Sequence, residues 1–278
     1  MRTSLVIIVL GCMCTFGAPA HASPYAAEVV SSSGLGDAPY NDPSAALGRP
    51  TISIFDSWAN ADVAVSMVYG PWTPDAVVSL KAGGQLTVKF DTPITNDPMH
   101  PYGADLLIFG NAFFVGKSGW VEADTDMAAY RVNTSGSIFS QGAMKVSVSQ
   151  DGQTWYTFDN GPLAGGYWPT QAYSRWDAAN GRWDASSVSD FTRPMNPDLI
   201  PGDFGGISVA DALALYDGSG GGTAFDIGQL GLDWIDYVRV EGEGNIDAFA
   251  AVSPVPEPAS AAILLIGLGM AIYRKLRT

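Results

Sequence analysis

Thirty-two glycines and 18 prolines interrupt this chain of 278 residues. In a helix interior glycine costs ~1 kcal/mol and proline ~3 kcal/mol relative to alanine. Long helices therefore have little room, and short strands joined by turns are the natural alternative. The strand signal is clearest in the middle. Met144, Val146 and Val148 alternate with Lys145, Ser147 and Ser149, Asp151-Gly152 offers a tight turn, and Thr154-Trp155-Tyr156-Thr157-Phe158 returns, which predicts a β-hairpin. Further strands are expected over 85–90, 105–109, 237–241 and 248–252. Leu106-Leu107-Ile108-Phe109 lacks alternation and so predicts a strand buried on both faces. One short helix is expected at 208–216, where Ser208-Val209-Ala210-Asp211 approximates a capping box and Gly218 can end it. The fold class is all-β: an antiparallel β-sandwich, jelly-roll-like, with one long aromatic loop and one short helix.

The two ends have a different character from the body. Arg2 precedes an apolar run from Leu5 toward Phe16, and Ala20-His21-Ala22 is a small-x-small cleavage pattern. Residues 1–22 are thus expected to be a signal peptide, with signal peptidase leaving Ser23 as the first mature residue. A competing reading takes Val9-Leu10-Gly11-Cys12 as a lipobox, which it loosely resembles. At the other end, Val255-Pro256-Glu257-Pro258-Ala259-Ser260 leads into an apolar stretch from Ala261 to Tyr273 and then Arg274, Lys275, Leu276 and Arg277. A helix from Ala259 to Tyr273 rises only ~22 Å, short of the ~30 Å hydrocarbon core, so it spans a membrane thinly. The basic end stays cytoplasmic, which leaves the body outside.

This tail closely resembles the PEP-CTERM signal of Gram-negative bacteria. Pro256, Glu257 and Pro258 match the motif, and Arg274, Lys275 and Arg277 match the basic end. The resemblance implies recognition and cleavage by an exosortase after transient anchoring in the inner membrane, followed by display at the cell surface or release. An ordinary C-terminal anchor is the alternative. Because the resemblance is confined to the tail, it speaks to sorting and not to activity. The chain divides into a signal peptide (1–22), a β-sandwich domain (23–254) and a sorting signal with a transmembrane helix (255–278).

Composition narrows the chemistry of the body. Cys12 and Cys14 are the only cysteines and both lie in the leader, which excludes disulfides, thiolate nucleophiles and cysteine metal sites from a chain beginning at Ser23. His100 is then the sole histidine. It stands between Pro98 and Pro101, as expected of a surface loop, and no Gly-x-Ser-x-Gly elbow accompanies it. Residues 23–254 hold 27 acids against 10 bases, a formal charge of −17. Nucleic-acid binding needs a basic stripe and is excluded on that ground. Aspartate outnumbers glutamate 23 to 5, a bias that suits turns and also hard cations such as calcium.

Two regions offer candidate sites. The long segment from Asn160 to Gly206 is too aromatic to be disordered and should fold back onto the sandwich. In it Arg175-Trp176-Asp177-Ala178 recurs as Arg182-Trp183-Asp184-Ala185. Three readings of the duplicate stay open. Trp176 and Trp183, with Trp168 and Tyr173 nearby, can stack on sugar rings while Arg175 and Arg182 bond hydroxyls. Alternatively, Asp177, Asn180 and Asp184 ring a calcium ion, or the tryptophans plug the loop onto the sheet while each Arg pairs with its neighbouring Asp. The second region runs from Gly220-Gly221-Gly222 to Asp247. Segments around 109–113, 148–155 and 226–249 loosely resemble those of surface proteins with galactose-binding-like jelly rolls, in which a structural calcium is common. That likeness implies Asn111, Asp226 and Asp247 as calcium ligands, with turn-capping aspartates as the alternative. With no compact catalytic signature, the expectation is a non-enzymatic, exported protein that binds extracellular polysaccharide or matrix with a supporting calcium ion. A purely structural matrix protein or a glycan-active hydrolase or lyase built on a carboxylate pair are the alternatives.

Overall fold

The computed structural model describes residues 23–139, 142–165 and 168–253. In chain order the strands are β1 (Glu28–Leu35), β2 (Ser53–Asp56), β3 (Ala61–Ala64), β4 (Val78–Thr95), β5 (Leu106–Phe109), β6 (Phe113–Phe114), β7 (Ile138–Phe139), β8 (Ala143–Ser149), β9 (Tyr156–Thr157), β10 (Trp176–Asp177), β11 (Arg182–Trp183), β12 (Thr223–Phe225), β13 (Trp234–Ile246) and β14 (Ala248–Ala251). Among the described residues one α-helix, α1, covers Val209–Tyr216. The order β1-β4-β13-β8-β9 forms one antiparallel sheet and β12-β5-β14 the other. Together they make the expected sandwich.

Why the sheets pack is legible in their alternation. Val146 and Val148 of β8, Val238 and Val240 of β13 and Leu86 and Val88 of β4 point inward, where Leu106, Ile108, Phe225 and Phe249 of the smaller sheet meet them. Leu107 and Phe109 face the other way, into a second cluster with Phe191, Ala248 and Ala250. That is why β5 carries no polar residue. The segment after β9 lies over α1: Trp168, Met195 and Phe204 pack with Val209, Ala212, Leu213, Tyr216 and the buried Phe114. Ser208 caps the helix by accepting from the Asp211 N–H at 3.1 Å. Asp217 ends it in the left-handed conformation, one residue before the expected Gly218.

The smaller sheet fixes where the chain enters and leaves. At one end of β14, Ala251 donates its N–H to the Pro24 carbonyl at 2.7 Å, Val252 donates to Asp105 at 2.8 Å, and Ser253 to Thr192 at 3.1 Å. Both chain ends therefore leave the body side by side. At the other end Asp247 donates its N–H to Phe109 at 2.9 Å, and its carboxylate receives Thr51. At ~3.3 Å per residue, the distance from Asp247 to Ser253 along the strand is ~20 Å. The leader (1–22) and the sorting tail (255–278) lie outside the described residues. Among the described residues no helix is long and apolar enough to cross a membrane.

Candidate functional site

The duplicated tetrapeptide is a two-stranded hairpin. β10 and β11 run antiparallel with Trp176 opposite Trp183 and Asp177 opposite Arg182, and the four residues Ala178-Ala179-Asn180-Gly181 make the turn, Gly181 at φ 60. Reversing the second Arg-Trp-Asp against the first sets Arg opposite Asp at each end and Trp opposite Trp in the middle. Arg175 accordingly reaches Asp184 across the hairpin at 3.2 Å, not its sequence neighbour Asp177. Asp177 instead receives the Asn180 side-chain N–H at 2.6 Å. Hydrogen bonds from Asn180 hold the Asp177 carboxyl below the usual range, and those from Ser186 do the same for Asp184.

Partners directly opposite share one face, so both tryptophans look the same way. That way is inward: they are half-buried against the cluster around Phe204 and Tyr216. Their ring centroids are 5.2 Å apart at 82°, edge to face, and Tyr173 stacks on Trp183 at 6.3 Å and 24°. Trp168 is only 7% exposed and lies 5.5 Å from the Phe204 ring. Arg175 and Arg182 are exposed on the outer face. The six residues expected to bind sugar are thus divided among a core (Trp168), an inward face (Tyr173, Trp176, Trp183) and an outward one (Arg175, Arg182). They form no single platform.

The calcium set is not brought together either. The ladder register puts Asp226 opposite position 105 and Asp247 opposite position 110 of the strand between them, ~17 Å apart at ~3.3 Å per residue. Asp226 caps the short 3-10 turn Ile227–Leu230, its carboxylate accepting from the Gly228 N–H at 2.8 Å. Asp247 is 2% exposed and accepts from the Thr51 hydroxyl at 2.8 Å and the Thr51 N–H at 3.1 Å. Asn111 lies near the Asp247 end with its backbone carbonyl against Gly70, and its buried Oδ1 has no hydrogen-bond partner. Among the described residues no three His, Cys, Asp or Glu side chains converge on a point that would hold a metal ion. The glycine triplet serves packing: a Cβ on Gly221, at φ 86, would sit 2.1 Å from the Pro169 carbonyl.

His100 is not on the surface. It is 7% exposed, and its Nδ1 lies 2.7 Å from the fully buried Asp105 carboxylate, whose other oxygen accepts from the Ile227 N–H at 2.9 Å. Burial raises the Asp105 pKa, opposed by the His100 hydrogen bond. The pair ties the loop before β5 to the turn after β12. Two prolines correctly mark a loop there, but packing of that loop beneath 226–228 leaves no surface for the imidazole.

Two tryptophans that the sequence reading did not single out are the most exposed large hydrophobic side chains among the described residues. Trp58 is 92% exposed and Trp120 is 87% exposed. Trp58 sits at the tip of the β2–β3 hairpin, where one Asp56 oxygen accepts from the Trp58 N–H at 2.8 Å and the Ala59 N–H at 3.2 Å. The other accepts the Tyr69 hydroxyl at 2.8 Å, and that hydroxyl accepts from Trp72 Nε1 at 3.0 Å. Desolvation pushes Tyr69 up to about 12, so it stays a donor, and its hydrogen bond holds Asp56 below the usual carboxylate range. Trp120 lies between Gly119, whose carbonyl receives the Tyr130 hydroxyl at 3.1 Å, and Val121, which is buried. Both tips are tied down from beneath. The available signal was a tryptophan among turn formers, as in Asp56-Ser57-Trp58-Ala59-Asn60.

No curated protein matches the chain. The model of the PEP-CTERM protein-sorting motif matches residues 254–277. Those residues span the Pro256-Glu257-Pro258 motif and the Arg274, Lys275 and Arg277 end, and the chain is an exported, exosortase-sorted surface protein carrying its PEP-CTERM signal directly after the last strand of a β-sandwich.

Proposed function

We propose that the sandwich is a non-enzymatic module that contacts extracellular polysaccharide while it is held at the cell surface. The observation that carries this is the placement of Trp58 and Trp120 on segments leaving the end of the sandwich opposite the chain exits. Thr51, held by Asp247, leads directly into β2. β6 follows β5 by three residues at the same end and is joined to the first segment by the Phe114 N–H to Met67 carbonyl bond of 2.6 Å. Both exposed indoles thus stand on segments that leave the smaller sheet at the end opposite Ser253. Aromatic faces stack on the axial C–H groups of sugar rings, and an exposed tryptophan contributes little to stability where it stands.

Catalysis has less support. The one imidazole of the body is sealed against Asp105 and out of reach of a substrate. Export engages exosortase and, transiently, the inner membrane, as the tail implies, and signal peptidase, as the leader over residues 1–22 implies. The test is a glycan array probed with residues 23–253 and with the Trp58→Ala, Trp120→Ala double variant. Binding to a polysaccharide class that the double variant loses supports the module. Release of soluble product would make the protein a hydrolase or lyase, and silence on every glycan would make it a coat protein without a ligand.

A further inference from the structure

We infer that the polysaccharide held by Trp58 and Trp120 is a cationic one, an amino-sugar polymer with free ammonium groups. This deepens the polysaccharide reading above and rests on it. Each exposed tryptophan has carboxylates within a few residues of it in the chain. Around Trp58 stand Asp56, kept ionised by its hydrogen bonds, and the exposed Asp62, which pairs across the hairpin with the half-exposed Phe55; no Lys or Arg lies between Thr51 and Leu80. Near Trp120 in the chain stand the exposed Glu122, Asp124 and Asp126, against Lys117 and Arg131, which share a backbone hydrogen bond of 2.9 Å.

The rest of the body agrees, with its formal −17 over residues 23–254. A polyanionic matrix polymer, such as one built of uronic acids, is repelled by that field, and a neutral one gains nothing from it. A polymer of glucosamine-type units supplies ring faces for the tryptophans and an ammonium beside each ring for the carboxylates. Ammonium groups near an indole also gain cation–π attraction. Two such points on one molecule let a long polymer bind by avidity although each contact is weak. The acidic field adds a steering term that salt screens.

The experiment uses residues 23–253 and four polymers: chitosan, the same chitosan re-N-acetylated, dextran and alginate, with polylysine as a sugar-free polycation. Binding is read by quenching of tryptophan fluorescence and by co-sedimentation. The expected result is binding to chitosan that falls roughly tenfold or more on re-N-acetylation, and again on raising salt well above physiological strength. Trp58→Ala and Trp120→Ala should each weaken it several-fold and Asp62→Asn should reduce its salt dependence, all three with melting temperatures unchanged. Equal binding to dextran or to the re-N-acetylated polymer overturns the cationic assignment while leaving the polysaccharide module intact. Preference for alginate does the same. Polylysine binding that matches chitosan and ignores the tryptophan substitutions reduces the effect to bulk charge and overturns the assignment. Failure on all the polysaccharides overturns both readings.

Discussion

Burial and a single hydrogen-bond partner, Thr51, set the behaviour of Asp247. Desolvation pushes its pKa up to about 7, opposed only in part by the bonds from Thr51. A carboxyl raised in the fold relative to ~4 in the unfolded chain binds its proton more tightly when folded. Its stabilising contribution is therefore complete below ~4, declines as pH rises through the window to about 7, and is gone above it. Asp247→Asn keeps a neutral group against Thr51 and should flatten that decline, leaving the variant more stable than the parent at pH 8 by a few kcal/mol in urea melts. The capping carboxylates Asp42, Asp56 and Asp151 are lowered, not raised. They act in the opposite sense in both proteins, so the difference between parent and variant isolates Asp247. The tryptophans differ in the same experiment: Trp168→Ala removes a buried ring from the Phe204 cluster and should cost ~3–5 kcal/mol. Trp58→Ala should stay within ~0.5 kcal/mol of the parent.

At the level of elements, the β10–β11 hairpin holds the long loop by its inward face. Trp183→Ala removes the contacts to Tyr173 and Trp176 and should lower stability by ~1–3 kcal/mol. Amide exchange should accelerate across 174–187, where Ser174 and Ser187 share a backbone bond of 2.7 Å, while polysaccharide binding stays unchanged. Loss of binding on that substitution would move the contact surface to the hairpin. The duplication itself was legible in the sequence, but its antiparallel self-complementarity emerges only when the second copy is reversed. Where local pattern and packing agree, as in the all-apolar β5 and the Ser208-capped α1, the elements match the sequence expectation closely; the β8–β9 hairpin forms, but its return strand is only Tyr156–Thr157 and a longer loop replaces the expected Asp151-Gly152 turn. The β2–β3 hairpin was not legible because its strands are four residues each and bury only Ile54 and Val63, Ile54 in a small cluster with Val65, Ala76, Val77 and Ala172. The Asp226–Asp247 pairing failed for a related reason. Composition suggests how many carboxylates exist, whereas strand register decides which of them meet.

For the whole molecule, folding and sorting are carried by separate stretches. A chain ending at Ser253 retains every backbone bond described for β14 and should melt at the temperature of the longer chain. It should also appear free in the medium instead of at the cell surface, because the motif at 254–277 is gone; a lowered melting temperature would show that the tail supports the sandwich. The side-by-side exits give β14 one more role. When a polymer tugs on the segments that leave beside Asp247 and the tail is fastened at Ser253, the pull runs lengthwise along this strand. The Asp247–Phe109, Ala251–Pro24, Val252–Asp105 and Ser253–Thr192 bonds then bear the load together in shear and do not open one by one like a zipper. A tether attached in this way should resist flow better than its four-residue length suggests.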